Sequence, residues 1–259
     1  DAGVTRVDLF RLAATAETIP ATVAFGNVRR GLDLTSTLTF TNAAAADGFS
    51  EQLVGTATGQ GSGFAAVAAG APGVVTFTLD RSTVGAKVGA SAVSLESVGV
   101  GGFANTVLRA GTVALSANVY DLASATLGAT SLTLGNVRVA GTAGFDVTNT
   151  VVTDVAFQDS LDVVATAANG KLTFANPARL AAGATGTVTL TAATAGVLDA
   201  SVAVGLTSNA NGLAGLTNEA LVGQSVAVSG AAYDLARATL ASGTLAMGNV
   251  RLGQSVAMG

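Results

Sequence analysis

The tetrapeptide Gly-Asn-Val-Arg occurs three times in this chain, beginning at Gly26, Gly135 and Gly248, at spacings of 109 and 113 residues. Self-similarity at a long fixed period means that one structural unit is read out more than once. The recurrence extends well beyond four residues. Tyr120-Asp121-Leu122-Ala123 precedes the second copy by the same distance as Tyr233-Asp234-Leu235-Ala236 precedes the third. Phe10-Arg11-Leu12-Ala13 holds that place in the first copy, with one extra residue. Downstream, Leu38-Thr39-Phe40-Thr41-Asn42 aligns with Phe145-Asp146-Val147-Thr148-Asn149, Val75-Thr76-Phe77-Thr78 with Val188-Thr189-Leu190-Thr191, and Val113-Ala114-Leu115-Ser116 with Val226-Ala227-Val228-Ser229. The expected organisation is therefore a first repeat over residues 1–118 with a short N-terminal arm, a second over 119–231, and the opening of a third over 232–259.

The matching segments alternate apolar and polar residues. Leu34, Ser36, Leu38 and Phe40 share one face, with Thr35, Thr37, Thr39 and Thr41 on the other; Val75, Phe77 and Leu79 oppose Thr76 and Thr78. Period two places every second side chain on the same side of a strand. Threonine suits the outer face because its branched Cβ favours extended backbone. Gly, Asn, Asp and Ser clusters between these segments supply turns. Phe64 to Ala71 is Ala-rich, but Gly70 interrupts it and Pro72 closes it, so a loop or short strand competes with a short helix there. About seven strands per repeat of roughly 110 residues predict an all-β chain of tandem immunoglobulin-like sandwiches, each with two antiparallel sheets packed face to face. A parallel β-helix is the alternative, but no rung-length repeat of about 20–30 residues accompanies the long one.

Composition removes most chemistry. With no His and no Cys, the chain lacks the commonest general base, the commonest zinc ligand, thiolate nucleophiles and disulfides. The densest carboxylates are Asp154, Asp159 and Asp162, with Asp146 nearby, and the first repeat offers Asp47 and Glu51 at the matching place. Their spacing fits no calcium-loop pattern, so a charged loop keeping a sheet edge soluble is preferred to a calcium site or a catalytic pair. The segment Gly59-Gln60-Gly61-Ser62-Gly63 lacks the Lys-Ser/Thr of a phosphate loop. No catalytic, cofactor-binding or metal-binding residue is expected. A net charge of −4, with 12 scattered basic residues, argues against a nucleic-acid face and for solvated turn residues. Hydrophobic residues make up 49% of the chain but no apolar run reaches about 18 residues, so no transmembrane helix is expected.

Gly-Asn-Val-Arg itself admits two readings: a ligand loop presented once per repeat, or a kink between two short strands. Apolar alternations (Val23-Phe25, Leu132-Leu134, Leu245-Met247) lead into each copy and favour the kink, with Val entering the core and Arg covering an edge or pairing with a carboxylate. The aromatic at each junction (Phe10, Tyr120, Tyr233) is expected to pack between units or cap a sandwich end and to limit hinge motion.

The run Phe25-Gly26-Asn27-Val28-Arg29 through Thr41-Asn42-Ala43-Ala44-Ala45-Ala46-Asp47-Gly48-Phe49-Ser50-Glu51 resembles the choice-of-anchor D repeat proteins of bacteria, themselves similar to ASH-type (Hydin-like) immunoglobulin-like domains. The resemblance spans nearly the whole chain as successive repeats, and it implies large secreted or surface-anchored proteins. It brings no catalytic residue. The expected role is a non-enzymatic module of an extracellular stalk, filament or surface layer. An adhesin binding glycan or protein through loops at the sandwich ends is the alternative, with loops 154–162 and 209–219 the first to test. Partners are further copies of the repeat or chain, met head to tail or by strand exchange through residues 233–259. At the repeat offset Met258 falls on Phe145, inside a strand, so the third unit is expected to continue in a longer array, to remain disordered, or to complete a sheet in another subunit.

Overall fold

The computed structural model describes residues 9–15, 17–240, 243 and 248–255. The expected lead-in Leu245-Met247 and the terminal Met258 and Gly259 lie outside them. The chain is all-β, and two hydrophobic cores organise it: one drawn from residues between Ala13 and Ala117, the other from residues between Ala123 and Ala232.

The first core is enclosed by β1 (Thr22–Arg29), β2 (Leu34–Thr41), β3 (Gln52–Ala57), β4 (Gly61–Ser62), β5 (Phe64–Val67), β6 (Pro72–Leu79), β7 (Gly85–Val98) and β8 (Thr106–Tyr120). One sheet runs β1-β8-β7-β3-β5 and the facing sheet β2-β6-β4. The second core lies between β9 (Ala125–Leu127), β10 (Ser131–Arg138), β11 (Thr142–Asn149), β12 (Ser160–Ala167), β13 (Leu172–Ala175), β14 (Thr185–Ala192), β15 (Gly196–Val197), β16 (Ala200–Asn209), β17 (Glu219–Ala220) and β18 (Gln224–Tyr233). Its sheets run β10-β18-β16-β12 and β13-β14-β11-β9.

The alternation read from sequence fixes which faces turn inward. Phe40, Val75, Phe77 and Leu79 are buried, while Thr35, Thr37 and Thr39 face water. Phe64 to Val67 forms strand β5, which resolves the helix-or-strand ambiguity in favour of strand. The sheets are not wholly antiparallel: β1 pairs parallel with β8, and β10 pairs parallel with β18. Each is the first long strand of its sheet joined to the last strand of the same sandwich. The whole sandwich serves as the crossover, which parallel pairing requires and a hairpin cannot provide.

Gly-Asn-Val-Arg sits inside β1 and β10, correcting the expectation of a kink between two strands. Gly26 and Gly135 adopt φ of +72° and +64°, and the parallel register slips there. The slip is a β-bulge, which inserts one residue and reverses the phase of the alternation. Val23 and Phe25 face the core; strict period two would bring Asn27 and Arg29 in after them. The bulge brings Val28 in instead and turns Asn27 and Arg29 outward. Leu132, Leu134 and Val137 repeat the arrangement around Gly135. Glycine is needed because positive φ brings any Cβ against the backbone.

The Thr-Asn pair ending the matched strands is a buried polar hub. Asn149 is fully buried; its amide donates to the carbonyls of Asp159 (2.9 Å) and Leu180 (3.1 Å). Its Oδ1 accepts from the Ser124 N–H (3.2 Å) and from Gln158 Nε2 (3.0 Å). Asn42, equally buried, donates to the carbonyls of Glu51 (3.0 Å) and Val67 (3.3 Å) and accepts from the Ala14 and Ala44 N–H groups. Each hub ties the opening segment of its sandwich to the end of the sheet, and no other residue type offers both donors and acceptor in that space. Asn149→Ala leaves several buried groups unpaired and is expected to lower the stability of the second sandwich by about 2–4 kcal/mol, measured by urea unfolding.

Candidate functional site: the joint between the two sandwiches

No spacer separates the two cores. β8 ends at Tyr120, and Asp121 already pairs with the second sandwich: its N–H donates to the Phe157 carbonyl (2.8 Å) and its carbonyl accepts from the Asp159 N–H (3.1 Å). The Tyr120 ring lies 5.4 Å from that of Phe157, tilted by 52°. Phe10 meets Phe49 in the same way at 6.2 Å, closing the end of the first sandwich.

The two side chains that the bulge turns outward reach across this junction. Arg29 Nη1 donates to Asp159 Oδ1 (2.7 Å), Nη2 lies 2.6 Å from Asp159 Oδ2, and Nη2 also donates to the Thr217 carbonyl (2.9 Å). The guanidinium fork thus grips the carboxylate with two nitrogens, the geometry that makes such pairs strong and directional. The Asp159 side chain is fully buried, and Arg29 retains 18% exposure. Ser208 Oγ donates to the same carboxylate (2.7 Å) and accepts from the Ala123 N–H (2.9 Å), holding Asp159 in place from its own side. Arg29 Nε has no hydrogen-bond partner among the described residues, and Glu219 Oε1 stands 3.6 Å away. Arg30 Nε pairs with Asp121 Oδ1 at 3.0 Å. Asn27, held by the Asn118 amide (3.1 Å), donates to the Ala214 carbonyl (3.1 Å). Gly215, with φ of +84°, passes so close that a Cβ would stand 3.0 Å from the Asn27 carbonyl oxygen.

The acidic residues picked out by sequence scatter into separate duties. Asp154 caps a short 3-10 turn by accepting from the Ala156 N–H (2.9 Å), and Asp146 accepts from Thr187 Oγ1 (2.6 Å). Asp162 pairs with Arg179 (2.8 Å) and accepts from Asn209 (2.6 Å). Asp47 pairs with Arg11, and Glu51 is buried against Ser97. Among the described residues no three His, Cys, Asp or Glu side chains gather as a metal site would require. Loops 154–162 and 209–219 do belong together, but they face the first sandwich, where Arg29 and Asn27 cover them. Sequence reading missed Asp159 as the acceptor of the recurring arginine. The available signal was the recurrence of Ser97 and Ser208, each in place to hold an acid nine or ten residues beyond the hub asparagine.

Two expectations follow from this geometry. Removing Arg29 strands a buried carboxylate, a change that typically costs about 3–5 kcal/mol. Arg29→Ala is therefore expected to uncouple the two sandwiches, seen as two separate calorimetric transitions, and Arg29→Lys is expected not to restore coupling because lysine lacks the planar fork. Near loop 209–219, the Arg179 guanidinium holds the Asp162 carboxyl below the usual carboxylate range, with help from Asn209. A depressed folded value contributes stability above the unfolded value of about 3.9 and loses it as pH falls through the folded value. The stability difference between the wild-type chain and Asp162→Asn is expected to shrink as acid unfolding titrations descend below about pH 4.

No family model matches the chain, and no curated protein does. Among solved structures, a point variant of the CFA/I adhesin CfaE of enterotoxigenic E. coli is similar at 10% identity and a TM-score of 0.37, over 83% of this chain and 99% of that one. The human desmocollin-1 ectodomain is similar at 13% identity and a TM-score of 0.41, over 86% of this chain and 42% of that one. The S-layer protein rSbsC is similar at 13% identity and a TM-score of 0.30, over 65% of this chain and 25% of that one.

Proposed function

We propose that the chain is a non-enzymatic structural module of a bacterial extracellular protein, a stiff length of stalk, filament or surface layer. Its repeats are 1–118 and 119–231, with 232–259 opening a third. The observation that carries this reading is the joint. A fully buried aspartate gripped by the recurring arginine, beside a junction with no spacer, resists bending between the units, and a load-bearing element needs that resistance. Domain interfaces without such locks permit relative motion. Each prominent carboxylate has a structural partner, and a chain without His or Cys has few other groups for catalysis. Zero cysteine and the resemblance to choice-of-anchor D repeats support a secreted or cell-surface location. Among the described residues no helix is long and apolar enough to cross a membrane.

The adhesin alternative placed its binding energy in loops 154–162 and 209–219. Those loops carry the acceptor half of the joint, and this use favours the scaffold reading over a receptor. Small-angle scattering tests the proposal. The wild-type chain is expected to scatter as one elongated particle with a narrow distribution of inter-unit distances, and Tyr120→Ala to broaden it by removing the ring packed on Phe157. A wild-type chain whose two sandwiches reorient freely would overturn it.

A further inference from the structure

The chain enters the first sandwich at one pole and leaves it at the other. Leu9, Phe10 and Leu12 share a cleft with Phe103 and Thr106, where β8 begins, and the chain leaves at Tyr120, where β8 ends. β1 runs towards the same exit pole, parallel to β8, from Thr22 opposite Ala114 to Arg29 opposite Tyr120. Backbone bonds extend the ladder at both ends. The Ala114 N–H donates to the Ala21 carbonyl (2.9 Å), and the Arg30 N–H donates to the Tyr120 carbonyl (3.0 Å). β10 and β18 repeat the arrangement, from the Ala227 N–H on the Thr130 carbonyl (2.9 Å) to the Val139 N–H on the Tyr233 carbonyl (3.1 Å).

Strand direction decides how such a ladder meets tension. Stretching the chain draws β1 backward by its N-terminal end and β8 forward by its C-terminal end. Parallel strands loaded in this way slide past one another, and the bonds lying across the pull must fail together. Strands opened from one end lose their bonds one at a time, at lower force. Val23, Phe25 and Val28 add to the resistance, because sliding β1 drags all three through the close-packed first core.

The joint gives β1 a second hold. The backbone enters the second sandwich after β8, through Tyr120 and Asp121. The Arg29 side chain enters it directly from β1. Two guanidinium nitrogens lie 2.7 and 2.6 Å from the Asp159 carboxylate, and Nη2 also donates to the Thr217 carbonyl (2.9 Å). Tension on β1 therefore has two routes into the second sandwich: across the ladder into β8, and along β1 through Arg29 into Asp159. Breaking the second route strands a fully buried carboxylate, which makes it costly.

We infer that the chain bears tension along its length. The parallel first and last strands of each sandwich form a shear clamp, and the Arg29–Asp159 pair is a second tie that takes part of the load off the first clamp. The inference rests on the structural-module reading and deepens it, naming pull along the array as the stress that the module withstands.

Single-molecule force spectroscopy of the intact chain tests it. The chain contains no Cys, so two introduced cysteines fix the pulling points. Leu9→Cys with Leu235→Cys, both at exposed positions, loads each sandwich from pole to pole. Two unfolding events are expected, and Asn149→Ala identifies the second sandwich by lowering the force of its event. Forced unfolding follows the unfolding rate. Arg29→Ala is expected to speed the first-sandwich event under load by about a hundredfold or more, as the loss of a buried pair implies. Moving the first handle to the exposed Leu32, just after β1, opens the ladder from its end. The first sandwich is then expected to yield at a clearly lower force with Arg29 intact, a dependence on direction that stability alone does not produce. Equal force for the two handle positions overturns the clamp, and an unchanged first event in Arg29→Ala overturns the tie. Either result in a chain that still scatters as one stiff particle leaves the module reading standing, whereas two freely reorienting sandwiches sink that reading itself.

Discussion

Asp159 is the point on which the two-sandwich arrangement depends. It is a charge removed from water, and such a charge persists only when it is paired and hydrogen-bonded. Two groups meet that need from opposite sides of the junction: the Ser208 hydroxyl from its own sandwich and the Arg29 guanidinium from its neighbour. A loose association of two sandwiches would leave the carboxylate half satisfied. The burial of one acid therefore makes the relative placement of two cores a matter of electrostatics as well as of surface area.

The remaining parts of the joint serve that contact. The bulge at Gly26 turns the arginine outward, and the parallel pairing of β1 with β8 sets it beside Tyr120. The Asn149 hub anchors the Asp159 backbone through its carbonyl, so the acid is fixed along its main chain as well as at its side chain. Gly215 lets loop 209–219 come close enough for the Ala214 carbonyl to receive Asn27. Backbone conformation, strand topology and side-chain polarity all act on one site, and this convergence explains why the recurring motif includes a glycine and an asparagine along with the arginine.

Much of the fold was legible in the chain. Leu34 to Thr41 and Val75 to Leu79 alternate cleanly, and their inward faces follow from that period alone. The phase reversal in β1 was half legible: Val23, Phe25 and Val28 cannot share a face without an inserted residue, and Gly26 marks where it enters. The parallel partner of β1 was not legible, because a strand's alternation states its faces and says nothing of its neighbours. Asp159 was read as part of a charged loop. Composition gives an acid no sign of burial, and the guanidinium that justifies its burial lies 130 residues away. Loops 154–162 and 209–219, named from sequence as candidate binding loops, lie against the side chains of Arg29 and Asn27.

By itself, then, the sequence determined the β class, the inward faces of the strands, the length of the repeating unit and the recurrence of an arginine in each copy. Those are local or periodic properties, and they survive in a one-dimensional reading. Tertiary structure alone decided that Arg29 meets Asp159 and that Asn42 and Asn149 are interior hubs. Each of these depends on which distant segments share a buried volume. Desolvation and hydrogen-bond geometry act only once the chain has folded into that volume.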